Sequence, residues 1–218
     1  MRVLPLTFDA LVTRLVARAL DCPEEPARGP EGTTAVRLLV DGHPAARPEA
    51  LADALVDPLR AAGRPVARVR LRDFLRPASL RLEHGRRDAD ALLDGWVDAG
   101  ALNREVLGAV VERGRYLPTL RDPVTDRSTR APYVTAAPGA VVVLDGSLAL
   151  GLGLDVDLTA HLALSRAAET RGTPLDDAWQ LAAYDRYRRE VAPDRRADVV
   201  VRFDDPRHPA LVERAGRG

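Results

Sequence analysis

An apolar run, Val36-Arg37-Leu38-Leu39-Val40, ends in Asp41-Gly42 and passes through His43-Pro44-Ala45-Ala46-Arg47 to Pro48-Glu49 and a segment of helical period. A turn between a strand and a helix is where anions bind, because backbone N–H groups and the positive end of the helix dipole converge there. The phosphate-binding pattern for such a turn is G-x-x-x-x-G-K-[S/T], in which the lysine meets the outer phosphates and the hydroxyl holds magnesium. Only Gly42 matches it. Arg47 stands at the second glycine, Pro48 at the lysine and Glu49 at the hydroxyl. Pro48 has no N–H to offer an anion, Glu49 brings negative charge to the helix start, and both suit a helix that caps itself. Arg47 is the side chain of this stretch able to grip a phosphate, through paired N–H groups.

The missing lysine is general: all 32 basic side chains are arginine. Schiff-base chemistry, amine nucleophiles and a lysine on a nucleotide phosphate are therefore excluded. The 32 acidic groups balance them, so no overall field draws the chain to nucleic acid, and no apolar run reaches the roughly 18 residues of a membrane span. Neither nucleic acid nor membrane is an expected partner. Cys22 has no second cysteine, and its spacing from His43, His84, His161 and His208 fits no zinc site. His161 alternates within a strand and reads as a hydrogen-bonded structural residue. No serine has the context of a hydrolase nucleophile elbow, Asp145-Gly146-Ser147 included. The start of the chain lacks a signal-peptide core, so a cytoplasmic location is expected.

These residues must be positioned by elements that the patterning predicts. Residues 7–20 place Phe8, Leu11, Val12, Leu15, Val16 and Ala19 on one helical face with Thr7 as cap, and a Pro/Glu/Gly stretch over 23–32 reads as a linker. Strands are expected at 36–42, 64–71, 140–146, 157–164 and 197–203, with helices at 48–62, 88–96, 101–112 and 176–191. Strand, helix and strand within a short span make a βαβ unit, hence a parallel sheet, and continuous apolar strands suit a sheet covered on both faces. Residues 114–138, rich in Pro, Thr and Arg, show neither period; such a loop is either functional or a solvated excursion. The expected organisation is an N-terminal helix and linker, 1–32, packed on a single α/β domain, 33–218.

Further pieces in order are Asp73-Phe74 within RDFLRPASLR, WVDAGALNREVL from Trp96, GRYLPTLRDPVTDRSTRAPY from Gly114, Asp145-Gly146 closing an apolar strand, and ADVVVRFDDPRHPAL from Ala197. With the VDG ending at Gly42, their order and spacing resemble the uridine and nucleoside kinase branch of the P-loop fold over nearly the whole chain, above all uridine-kinase-like proteins of actinobacteria. The resemblance implies a P-loop NTPase-like α/β fold with helices flanking a parallel sheet. It implies Asp73 as base toward a nucleoside hydroxyl and as a helper in holding magnesium, with Asp145 completing the metal site; in an active chain Glu49 could join Asp145 there. It implies Gly42, Arg47, Arg166 and Arg171 as nucleotide contacts, Phe74 as a base-stacking residue, and Arg81, followed by Gly85, on the acceptor side. Leu92 and Leu93 stand where the family often has tyrosine, and the stretch after Arg171 is shorter than the usual basic lid.

The departures divide the functional expectation. The leading reading is a degenerate uridine or nucleoside kinase-like protein that keeps the fold and binds a nucleoside, nucleotide or related small ligand without ordinary ATP-dependent kinase activity. In that reading it needs no cofactor. The rival is an active, atypical kinase using a nucleoside triphosphate and Mg2+, with arginine in place of the lysine. A third is a protein-interaction module, for a protein partner or a homodimer, with a vestigial pocket.

Overall fold

The computed structural model describes residues 2–213. Its strands, in chain order, are β1 (Arg2–Pro5), β2 (Ala35–Gly42), β3 (Val66–Arg70), β4 (Arg115–Tyr116), β5 (Val134–Thr135), β6 (Ala140–Gly146), β7 (Leu158–Ala163), β8 (Val199–Arg202) and β9 (Ala210–Glu213). Seven of them form one sheet in the order β1-β9-β8-β7-β2-β6-β3. From β8 to β3 every pairing is parallel; β9 and β1 add an antiparallel edge. The sheet is thus mostly parallel, as the βαβ pattern predicts.

The helices are α1 (Phe8–Asp21), α2 (Pro48–Ala61), α3 (Ala78–Arg81), α4 (Ala89–Asp94), α5 (Ala99–Leu102), α6 (Gly108–Arg113), α7 (Arg166–Gly172), α8 (Leu181–Glu190) and α9 (Pro193–Arg196). Thr7 caps α1, its hydroxyl accepting from the Ala10 N–H, as expected. The two faces of β2 show why the sheet lies between helices. Val36, Leu38 and Val40 pack into a core with Leu11 and Leu15 of α1 and Leu51, Leu55 and Leu59 of α2. Ala35 and Leu39 face the opposite core, with Phe74, Leu102, Val106 and Val110. Both faces are dry, which is what a strand of nearly unbroken aliphatic sequence requires.

Some elements differ from the sequence reading. The helix expected at 101–112 runs from α5 to α6 through a π turn at Asn103–Leu107. Residues 176–191 begin as a 3-10 turn, Leu175–Gln180, before α8. The loop 114–138 holds the β4–β5 hairpin and an inner turn closed by the Arg121–Ser128 bridge. Two-residue strands are too short to display an alternating period. The N-terminal segment supplies β1 as well as the expected helix, and β1 pairs with β9 from Arg2–Glu213 to Pro5–Ala210. Among the described residues, no helix is long and apolar enough to cross a membrane.

Candidate functional site

β2 lies between β6 and β7, so the chain departs to opposite sides from neighbouring strands, and the carboxyl ends of those strands frame a crevice. Asp41-Gly42 ends β2, Asp145-Gly146 ends β6, and Asp73 sits in a 3-10 turn directly after β3. The parallel sheet therefore gathers all of these at one edge. Gly42 is required by close strand approach: a Cβ there would stand 3.0 Å from that of Leu162.

The turn after Gly42 satisfies itself. Pro44–Ala46 forms a 3-10 turn, and the His43 Nδ1 accepts from the Ala45 N–H at 3.0 Å. The Ala46 N–H donates to the His43 carbonyl at 2.8 Å and the Arg47 N–H to the Pro44 carbonyl at 2.9 Å. Pro44 and Pro48 have no N–H, so from residue 44 to residue 48 every amide of the turn is spent or missing. Arg47 bridges this turn to α2 in the left-handed region, φ 52°, with its guanidinium in solvent near Glu49, 3.5 Å away.

The stretch from α7 through α8, residues 166–190, lies over the turn as a lid. The His43 ring lies 4.3 Å from that of Tyr184, and its Nε2 is 3.3 Å from the Thr173 hydroxyl. Because Nδ1 accepts, Nε2 carries the proton of the neutral ring. Burial, reinforced by the Arg188 guanidinium, pulls the His43 pKa down to about 4. Gly172 rests on Ala45 so closely that a Cβ would overlap Ala45 Cβ. Beneath, Glu169 is buried and paired with Arg188, beside a cavity of about 40 Å³ that Gly42, His43 and His161 also line.

The Asp41 carboxylate is fully buried. It accepts from the Ala149 N–H at 2.9 Å, from His161 Nδ1 at 2.6 Å and from the Tyr187 hydroxyl at 3.0 Å. His161 is thus a hydrogen-bonded histidine, with its Nε2 3.5 Å from Asp194. Burial pushes the Tyr187 phenol up, and the Asp41 charge adds to the effect.

On the other side of the turn lies a larger cleft of about 450 Å³. Asp145 and Glu49 line it, with Arg70, Arg72, Trp96, and the Leu92–Leu93 wall. Burial raises the Asp145 pKa, opposed by the adjacent Arg68 and assisted by Glu49. Arg68 ion-pairs with Asp145 and donates through Nε to Asp53 at 2.8 Å. Asp73 is half-buried and outside the lining, its pKa raised first by burial and less by Asp145, against the pull of Arg72 and Arg70. Magnesium demands open oxygen ligands in near-octahedral array. Asp145 is covered by Arg68 and Glu49 faces Arg47; among the described residues no three His, Cys, Asp or Glu side chains converge as a metal site. With Arg68 seated on it, Asp145 is not open to the ion.

Other expected contacts lie elsewhere. Phe74 is fully buried in the core with Leu102 and Val106, so its ring has no face for a base; the expectation of stacking is corrected on that ground. Arg81 is buried, donating to the Arg76 carbonyl at 2.7 Å and to Asp126 at 3.1 Å, with its guanidinium 5.1 Å from the Trp96 ring. It ties the 122–127 turn down and is not among the cleft-lining residues. Arg166 pairs with Asp185, and neither it nor Arg171 lines the cleft. Sequence reasoning passed over Arg68, Arg70, Arg72 and Trp96. The signal was an arginine at every second position of RVRLR, residues 68–72, which places Arg68 and Arg70 on one face of β3.

No family model matches the sequence, and no curated protein matches it significantly. Solved structures do. A possible uridine kinase from Bacillus stearothermophilus superposes with a TM-score of 0.66 at 18% identity, over 87% of this chain and 96% of that one. A protein from Silicibacter sp. TM1040 proposed to be a fructose transport system kinase gives 0.56 at 20% identity, over 82% and 95%. The YGR205w protein gives 0.57 at 8% identity, over 95% and 100%. Likeness at such identities speaks of fold alone, and the strand order, the helices on both faces and these neighbours together give the chain the α/β fold of the P-loop kinases, on a scaffold like that of a uridine kinase.

Proposed function

We propose that this chain is a degenerate nucleoside-kinase-like protein that holds a nucleoside, nucleotide or related small ligand in the cleft and does not transfer phosphoryl groups from MgATP. The observation that carries the reading is the self-bonded turn: the N–H groups of Ala45, Ala46 and Arg47 all have partners within it. Phosphoryl transfer depends on positioning and on neutralising developing charge, and here the anion cradle, the lysine and the open metal ligands are replaced together. The cleft itself has the size of a small-molecule site, with apolar walls and a few charged groups, which favours a ligand over a protein partner as occupant.

Titration calorimetry with millimolar MgATP, beside a thermal-shift screen of nucleosides and nucleotides, tests it. No MgATP heat and a shift with at least one nucleoside or nucleotide are expected. The active alternative has Asp73 as base, Asp145 and Glu49 at Mg2+, and Arg47, Arg166 and Arg171 on the phosphates. Phosphorylated uridine or cytidine that forms with wild-type protein and disappears with Asp73→Asn would establish that alternative.

A further inference from the structure

We propose that Arg68 is the resident cation of the cleft: its guanidinium neutralises Asp145 where a divalent ion would otherwise be required, so the cleft works without metal. Arg68 is saturated as a built-in group is. Its Nε donates to Asp53 Oδ1 at 2.8 Å, Nη1 to the Val69 carbonyl at 2.5 Å and the Val143 carbonyl at 3.4 Å, and Nη2 reaches Asp145 and the Glu49 carbonyl at 3.5 Å. One side chain thereby joins β3, the end of β6 and α2 around a single positive charge. It is largely buried, and Asp145 more so.

The need for that charge is plain from its surroundings. Asp145 and Glu49 line this end of the cleft, Asp53 pairs with Arg68 outside the lining, and Glu49 and Asp73 each interact with Asp145 through their charges. Without a cation, a buried carboxylate among others is costly. A guanidinium meets the need permanently, since it keeps its proton in proteins and offers a planar fork to two carboxylates at once. A metal would have to displace it. Arg70 and Arg72, further out on the cleft wall and loosely paired with Asp53 at 3.6 Å and Asp73 at 3.9 Å, are then the cations that an anionic group of a ligand arriving without metal would meet.

This deepens the reading above, and its test contains no nucleotide, so the two can fail separately. Full-length wild type, Arg68→Met and the double variant Arg68→Met/Asp145→Asn are titrated with Mn2+ alone, and free ion is followed by electron paramagnetic resonance. Wild type is expected to leave the Mn2+ signal unchanged. Arg68→Met is expected to bind the ion at least about tenfold more tightly, as removal of one neighbouring positive charge implies, and the double variant to lose that gain. Should Arg68→Met fail to fold, circular dichroism with and without Mn2+ reads the same claim, folding restored by the ion being the expected result. Asp145-dependent Mn2+ binding by wild type would overturn the proposal, as would an Arg68→Met chain that neither binds Mn2+ nor is rescued by it.

Discussion

His43 occupies a position where an anion-binding turn keeps its backbone open, and the imidazole is built into the turn as a hydrogen-bond acceptor. That role requires the neutral ring. The unfolded histidine titrates near 6.5, the folded one near 4, so between those values the unfolded chain takes up a proton that the folded chain refuses. Stability contributed by neutral His43 is complete above the upper value and falls as pH drops through the window, by up to about 3 kcal/mol. Urea denaturation from pH 7 to 4 should show that fall in wild type and a smaller one in His43→Gln; parallel curves would remove His43 from the account. At this scale the sequence was readable where a residue type is missing: no lysine, and a proline and a glutamate at the helix start. It was unreadable where packing decides. Phe74 and Arg81 have the composition of ligand contacts, but one is enclosed by the core and the other is spent on Asp126 and a carbonyl.

Elements with a long period were legible almost to the residue. β2, β6, α1 and α2 follow from aliphatic strands and from leucines at helical spacing. Elements of one or two periods were not: β1, β9 and the β4–β5 hairpin are made by pairing partners distant in sequence. Helix α7 also went unread, although Ser165 caps it, its hydroxyl accepting from the Ala168 N–H. Its last residue, Gly172, sets how near the lid approaches the turn. Gly172→Ala forces a methyl into Ala45 and should cost about 1–3 kcal/mol in chemical denaturation, as overpacking of tight contacts does. Unchanged stability would mean that the lid can stand off without loss.

Across the whole molecule, the N-terminal segment is integral to the sheet and the core. Leu11, Leu15 and Ala19 are fully or almost fully buried against the domain, and β1 completes the edge on β9. Deletion of residues 2–21 should abolish the cooperative thermal transition followed by circular dichroism. A sigmoidal melt in the shortened chain would make that segment an appendage. The molecule also shows what holds the lid on the turn. The Tyr184 ring against His43, the Thr173 hydroxyl beside its Nε2 and Gly172 on Ala45 all join the same two pieces of chain, and the Glu169–Arg188 pair ties α7 to α8 behind them. Contacts so interlocked are lost together, since breaking any one alone strands a polar group or opens a void. The lid should therefore behave as a latch with a threshold, held shut against weak visitors and thrown open as one body, with no graded ajar positions between.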